Sequence, residues 1–142
     1  MQLKLSQRAS LQVSTDLNAL IDVLSWFDQF QNSLLPYDVW LQCQLAVAEG
    51  FTNAVRHAHR DQPTETPVEL EVEIHDDLLE IRIWDHGPGF DVDSYLKNLS
   101  LPIDENAEGG RGLSLMHRIA DDLQYARTDD QRNCLHISKR FS

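Results

Sequence analysis

The amino-acid sequence predicts an α/β fold, because segments with helical periodicity alternate with segments that have the two-residue periodicity of β-strands. Apolar residues recur at helical spacing in two proline-free segments, 17–30 and 40–60. Apolar and acidic residues alternate over 68–74, and a second alternating run follows the Asp76-Asp77 turn at 79–83. These two runs predict a β-hairpin with one face in water.

Length and composition predict one globular domain over residues 1–142. The chain is 42% hydrophobic and 25% charged, which is typical of a soluble chain with a single core. No apolar run reaches the roughly 20 residues that span a bilayer, and the first residues do not resemble a signal peptide. The net charge of −11 argues against a nucleic-acid partner. Cys43 and Cys134 lack metal or redox spacing and suggest buried thiols in a reducing cytoplasm. Since no long apolar run is present, we also expect no membrane partner.

The N-terminal segment predicts a short strand followed by a helix. Residues 3–8 alternate as a strand does, and Ser14-Thr15-Asp16 offers helix caps. The helix that follows is apolar at Leu17, Leu20, Ile21, Leu24, Phe27 and Phe30. Trp26 makes it aromatic on more than one side, which fits either core packing or contact with another protein chain.

The segment 40–60 predicts a central amphipathic helix. Glu49 and Asn53 lie on one face, with Arg56 and Arg60 beside them. The opposite face is apolar at Val47, Phe51, Ala54 and Ala58. An asparagine oxygen suits Mg²⁺, and a carboxylate one turn away suits a general base. The alternative is an ordinary solvated helix face. Gly50, mid-helix, indicates that another group approaches closely.

Two glycine-rich segments flank an irregular acidic stretch, 91–108. The second hairpin strand runs into Asp85-His86-Gly87-Pro88-Gly89, where Asp85 could accept a hydrogen bond from an exocyclic amine such as that of adenine. Gly109-Gly110-Arg111-Gly112 opens a helix, which is a natural phosphate site. The alternatives are a glycine-proline turn and a capped loop. Residues 123–126 and 135–138 predict two final strands. We predict that the six histidines form no metal site, since His57 and His59, two residues apart, diverge on a helix, and a zinc role is discarded.

Together, in this order, the three motifs resemble the Bergerat-fold (GHKL) ATPases, the superfamily of gyrase, Hsp90, histidine kinases and MutL. Within that superfamily the chain is most similar to the small bacterial anti-sigma-factor serine/threonine kinases. The resemblance covers nearly the whole chain. It implies a two-layer sandwich with helices on one face of a mixed, mostly antiparallel sheet. A nucleotide would lie between the helices and the two glycine-rich segments, 85–89 and 109–112, which are the family's glycine boxes.

The resemblance also implies residue roles. Asn53 would bind Mg²⁺ and Glu49 would be the general base for a serine hydroxyl. Asp85 would read adenine. The remaining implied nucleotide contacts are Arg56 and His57 on the helix, Gly87 and Gly89 in the first glycine box, and Gly110, Arg111, Gly112 and Leu113 in the second.

The implied function is an ATP- and Mg²⁺-dependent protein serine/threonine kinase. Its implied partners are a STAS-domain anti-sigma-factor antagonist, a sigma factor and a second copy in a homodimer. Two alternatives remain open: a nucleotide-binding module without kinase activity, and a detached histidine-kinase-type ATPase domain. One departure concerns the last strand, where Asn133-Cys134 stands in place of the family's Gly-Thr. Since a thiol is a weak hydrogen-bond partner, we expect looser adenine binding.

Overall fold

The computed structural model describes residues 7–31, 35–88 and 110–141. Within these ranges the elements, in chain order, are β1 (Gln7–Ser14), α1 (Leu20–Asp28), α2 (Tyr37–Asn53), β2 (Pro67–Ile74), β3 (Leu78–Asp85), α3 (Gly110–Ile119), β4 (Asp122–Arg127) and β5 (Asn133–Arg140). A 3-10 turn at Leu17–Ala19 precedes α1, and a π-helical turn at Ala54–Ala58 follows α2.

The five strands form one sheet in the order β1-β2-β3-β5-β4. Every pairing among these strands is antiparallel. The resemblance implied a mixed, mostly antiparallel sheet, and the part of the sheet that the structure describes is entirely antiparallel. The predicted class, helices packed on an antiparallel sheet, is confirmed. The hairpin and the two final strands lie where alternation predicted them.

The first strand occupies Gln7–Ser14, whereas alternation had predicted residues 3–8, most of which lie outside the described ranges. Its inward side chains are Ala9, Leu11 and Val13, each of which packs against the core. Leu11 lies opposite Leu70 in β2. Because this alternation continues the apolar face of the hairpin, burial against the core determines the position of the strand.

One face of the sheet is buried beneath the helices. The inward residues of β2 and β3 alternate strictly with half-buried outward ones. Helix α2 fits closely onto this face at Gly50, where a β-carbon would lie 2.4 Å from Cδ1 of Ile83. The close approach predicted at Gly50 is therefore that of the sheet. The apolar stripe of α2 supplies the other half of the core, with Val47 and Phe51 buried, and Ala54 of the π-turn continues it.

The central helix is regular only as far as Asn53. A π-helical turn replaces the last part of the helix predicted over 40–60, and the backbone N–H of His59 closes it on the carbonyl of Ala54 at 2.9 Å. Such turns widen a helix by one residue and are frequent at functional sites. Here the turn carries two of the predicted site residues, Arg56 and His57.

Helix α1 closes one side of the core. Asp16 caps the preceding 3-10 turn by accepting a hydrogen bond from the N–H of Asn18, as its position in the sequence predicted. Phe27 is fully buried, and Trp26 meets the edge of Phe30 at a centroid distance of 5.3 Å. These contacts favour core packing for the aromatic residues. None of the helices in the described ranges is long and apolar enough to cross a bilayer.

Candidate functional site

Asp85, at the end of β3, lies at the centre of a buried hydrogen-bond network. The residue is 4% exposed. Oδ1 accepts from the backbone N–H of Gly87 at 2.9 Å and from Nδ2 of Asn133 at 2.8 Å. Oδ2 accepts from the hydroxyl of Tyr125 at 3.0 Å. Burial and the negative charge of Asp85 raise the pKa of Tyr125, so this hydroxyl keeps its proton and remains a donor.

Asn133, and not Cys134, supplies the hydrogen bond from the last strand. Asn133 is 1% exposed, and its amide donates both to Asp85 and to the carbonyl of Gly87, the latter at 2.9 Å. Cys134 alternates to the outer face, where it lies opposite Trp84. The expectation of a weak thiol partner was therefore wrong, because strand alternation places Asn133 on the inner face.

The first glycine box is held tightly against the π-helical turn. A β-carbon at Gly87 would lie 2.3 Å from the carbonyl oxygen of Ala58, which only glycine avoids. The carbonyl of Gly87 also accepts from Nη1 of Arg127 at 3.2 Å. The side chains of Tyr125, Arg127 and Asn133 therefore meet the turn at Gly87 and the π-turn at Ala58 around Asp85.

His59 is a structural residue of this region that the sequence analysis did not assign. It is 2% exposed. Nε2 accepts from the backbone N–H of His86 at 2.7 Å, so Nδ1 carries the proton and donates to Oγ1 of Thr15 at 3.0 Å. Burial lowers the pKa of His59, with His86 adding to the effect and Asp85 opposing it. No local sequence pattern marks this role, because Thr15 is 44 residues away.

Helix α2 presents the other predicted residues along one face. Glu49 and Asn53 are half-buried and one turn apart, while Arg56 is exposed and His57 half-buried in the π-turn. The Asn53 side chain makes no capping bond to the π-turn, so its amide is not used by the helix end.

The start of α3 lies directly against Glu49. A β-carbon at Gly112 would lie 2.8 Å from Oε2 of Glu49. This contact places the N-terminus of α3 beside the α2 carboxylate, and the first turn of a helix has backbone N–H groups without intrahelical partners. Gly110, Arg111 and Leu113 belong to the same turn of α3, where the structure describes the backbone. Gly89 and the stretch 91–108 lie outside the described residues.

The fold and these contacts agree with a comparison against known families. Residues 13–139 match the model of the histidine kinase-like ATPase domain. The chain belongs to this family.

Individual members of the family support the same relationship. The serine-protein kinase RsbW of Bacillus velezensis is 34% identical over 93 residues, which are 62% of this chain and 58% of that protein. RsbW of Bacillus subtilis is 33% identical over the same length. The chain thus spans 58% of the length of these curated relatives. The resemblance to the Bergerat-fold ATPases and their small serine kinases is confirmed.

A solved structure supports the fold. The RsbU and RsbW domains of a Mycobacterium tuberculosis protein superpose with a TM-score of 0.66 at 9% identity. The match covers 95% of this chain and 32% of that one. At this identity the likeness concerns the arrangement of elements only.

The donor set of this ATPase-family domain suits magnesium and a nucleotide. Asn53 offers a neutral oxygen, Glu49 offers a carboxylate one turn away, and the remaining positions around Mg²⁺ are usually filled by water and phosphate oxygens. Asp85, at the end of β3, offers hydrogen-bond acceptors in a buried environment.

Proposed function

We propose that this chain is an ATP- and Mg²⁺-dependent protein serine/threonine kinase. The observation that carries the proposal is the seating of Gly112, in the first turn of α3, against the carboxylate of Glu49. A helix terminus that binds phosphates beside a carboxylate that can orient a hydroxyl is what phosphoryl transfer requires. A module that only binds nucleotide has no need of that carboxylate.

Asp85 would recognise adenine through Oδ2. Among the residues that the structure describes, Oδ1 accepts two hydrogen bonds and Oδ2 accepts one, from Tyr125. Because a carboxylate oxygen has two lone pairs, Oδ2 keeps one for the exocyclic amine of adenine. Guanine presents a carbonyl oxygen at that position, which would face the carboxylate as acceptor against acceptor. The network behind Asp85 thus favours adenine over guanine.

The phosphates would lie between α2 and α3. Backbone donors of the turn Gly110, Arg111, Gly112 and Leu113 would hold them, with Arg56 adding positive charge from the exposed side. Asn53 would hold Mg²⁺, which neutralises charge on the phosphates when bound. We assign His57, Gly87 and Gly89 to the same nucleotide site.

Glu49 would orient the attacking serine hydroxyl and take its proton. Phosphoryl transfer needs little covalent help, so accurate placement of the hydroxyl accounts for most of the effect of this residue. Glu49 is half-buried, and its Oε2 lies against Gly112 at the start of α3, where the phosphates would bind.

For partners, we propose a STAS-domain anti-sigma-factor antagonist as the phosphorylated protein and a sigma factor as a second ligand. The relatives named serine-protein kinase support a serine as acceptor. We further propose that residues 1–142 act as one domain in the cytoplasm and form a homodimer. Free Cys43 and Cys134 suit a reducing compartment.

Two variants test the proposal with radiolabelled ATP and candidate STAS proteins. Glu49→Gln should leave the Kd for ATP within about twofold and lower transfer at least ~100-fold, as expected for loss of a general base. Asn53→Ala should weaken Mg²⁺-dependent ATP binding itself. Glu65→Gln, an exposed loop carboxylate, serves as the matched control and should transfer normally.

Mapping the phosphorylated residue separates the alternatives. Phosphoserine or phosphothreonine on the partner supports the kinase. Phosphohistidine would favour the histidine-kinase-type domain, and ATP binding without any transfer would favour the binding module. Normal transfer by Glu49→Gln would show that the assigned base is wrong.

A further inference from the structure

The outer face of the sheet carries a second cluster of metal-ligating side chains, remote from the nucleotide site. At the turn of the β2–β3 hairpin, one ligand atom from each of Glu73, His75 and Glu80 lies within 4.8 Å of the others. Nε2 of His75 is 2.9 Å from Oε2 of Glu80. All three residues are half-buried. Glu73 and Glu80 are directly opposite in the strand register, so the backbone itself holds the two carboxylates together.

Two further side chains orient these carboxylates from behind. Nε2 of His136, in β5, lies 3.0 Å from Oε1 of Glu80. Nη1 of Arg82 donates to Oε2 of Glu73 at 2.9 Å, and Nη2 lies 3.5 Å from Oε1 of Glu80. Oε2 of Glu80 contacts His75, and one carboxylate oxygen of Glu73 lies within 4.8 Å of both ligand atoms. Such outer contacts are typical of metal sites, where they hold the ligands in place.

The ligand chemistry favours zinc over magnesium. One imidazole and two carboxylates form a mixed nitrogen and oxygen set, which zinc accepts and which magnesium, an oxygen-binding ion, does not prefer. In a tetrahedral zinc site the ligand atoms lie about 3.4 Å apart, as follows from metal–ligand distances of about 2.1 Å. The separations here, 2.9 Å and at most 4.8 Å, bracket that value, so small side-chain rotations suffice.

Two guanidinium groups accompany the two carboxylates, because Arg82 contacts both of them and Arg8 lies opposite Glu73 in the strand register. The chain as a whole has a net charge of −11, which attracts cations. The competing explanation is a cross-strand polar network that needs no ion, since His75 and His136 both already contact Glu80. That explanation accounts for the contacts of Glu80. Glu73 is also held by Arg82 and by its position opposite Glu80, so zinc titration decides between the two explanations.

We propose that Glu73, His75 and Glu80 bind one Zn²⁺ ion, with water as the fourth ligand and with His136 and Arg82 as positioning residues. The site is independent of the proposed kinase activity. Glu80 and Asp85 are five residues apart on β3, which is about 17 Å, and their side chains point to opposite faces of the sheet. Zinc here would join β2 to β3, and through His136 to β5, and so stabilise the sheet.

Titration of the EDTA-treated, dialysed full chain with ZnCl₂, followed by calorimetry, tests this proposal. We expect one saturable site, a higher melting temperature with zinc, and no competition from millimolar Mg²⁺. Co²⁺ in place of zinc should produce the visible absorption of a low-symmetry four-coordinate site. His75→Ala and Glu80→Gln should abolish saturable binding, and His136→Ala should weaken it 10- to 100-fold, as loss of an outer contact does.

His117→Ala is the matched control, because His117 is an exposed histidine on α3. It should bind zinc as the wild type does, and circular dichroism should show that every variant is folded. Asn53→Ala should also keep the zinc site, which separates it from the proposed magnesium site. The absence of a saturable site, equal binding by His75→Ala and the wild type, or loss of binding in His117→Ala would each overturn the proposal.

Discussion

At the scale of single residues, the side chains that support Asp85 matter as much as Asp85 itself. A buried carboxylate is costly unless its oxygens accept hydrogen bonds. Asn133, Tyr125 and the turn at Gly87 provide these bonds from three different elements. Among the described residues, these bonds involve Oδ1 twice and Oδ2 once, which is why the proposed contact with adenine is assigned to Oδ2. The hydrogen bonds that stabilise the buried carboxylate are therefore the same ones that would orient it towards adenine.

Replacing Asn133 tests this support. Asn133→Ala removes the donor to Asp85 and to the carbonyl of Gly87. Loss of a hydrogen bond to a buried charged group costs roughly 1.5–3 kcal/mol, so we expect the Kd for ATP to rise about tenfold or more. Isothermal calorimetry measures this. Cys134→Ser, on the outer face, is the neighbouring control and should stay within about twofold. A larger effect from Cys134→Ser would restore the thiol as the adenine-side partner.

At the scale of elements, two glycines bring separate segments together but tolerate change differently. Gly87 packs on the backbone carbonyl of Ala58, which cannot move without distorting the π-turn. Gly112 packs on Oε2 of Glu49, the far end of a flexible side chain. Both contacts are close. Only the second can relax at small cost.

This difference predicts opposite behaviour of two alanine variants. Gly87→Ala should lower the free energy of unfolding by roughly 2 kcal/mol or more, because overpacking against a backbone forces the chain to shift. Gly112→Ala should change it by less than about 1 kcal/mol, while displacing Glu49 and reducing phosphate transfer. Urea denaturation and the transfer assay measure the two effects. Equal destabilisation by both variants would mean that Glu49 is held rigidly.

At the scale of the whole molecule, His59 connects distant parts of the chain. It contacts Thr15, just after β1, and the backbone of His86, just after β3, and it follows the π-turn itself. A protonated imidazole cannot accept the hydrogen bond from His86. Neutral His59 is thus part of how the sheet is attached to the central helix.

The pKa of His59 predicts the direction of a pH effect on stability. Burial lowers it below its ordinary value of 6.5 in the folded chain. As pH falls below 6.5, the unfolded chain binds a proton that the folded chain does not, so His59 contributes stability above that pH and loses it below. We expect the wild type to lose more free energy of unfolding between pH 7.5 and 5.5 than His59→Gln, measured by urea denaturation. His57→Gln is the control for removal of a nearby histidine, and a wild-type slope in His59→Gln would contradict the assignment.

The sequence by itself determined the helices, the hairpin and the order of the three nucleotide motifs. These features depend on local periodicity and on the spacing of glycine and proline, which can be read from residues close together in the sequence. Asp85, Glu49 and Asn53 are predicted site residues because they stand in these motifs, whose joint order carries the resemblance to the family. The final strands were also predictable, because apolar alternation marks their inner face.

The tertiary structure alone decided which residues support the site. Asn133 meets Asp85 across 48 residues, His59 meets Thr15 across 44, and His136 meets Glu80 across 56. Strand register, strand order and the end of α2 at the π-turn bring these pairs together. No periodicity within one segment encodes such contacts, since they depend on how the core packs several elements against each other.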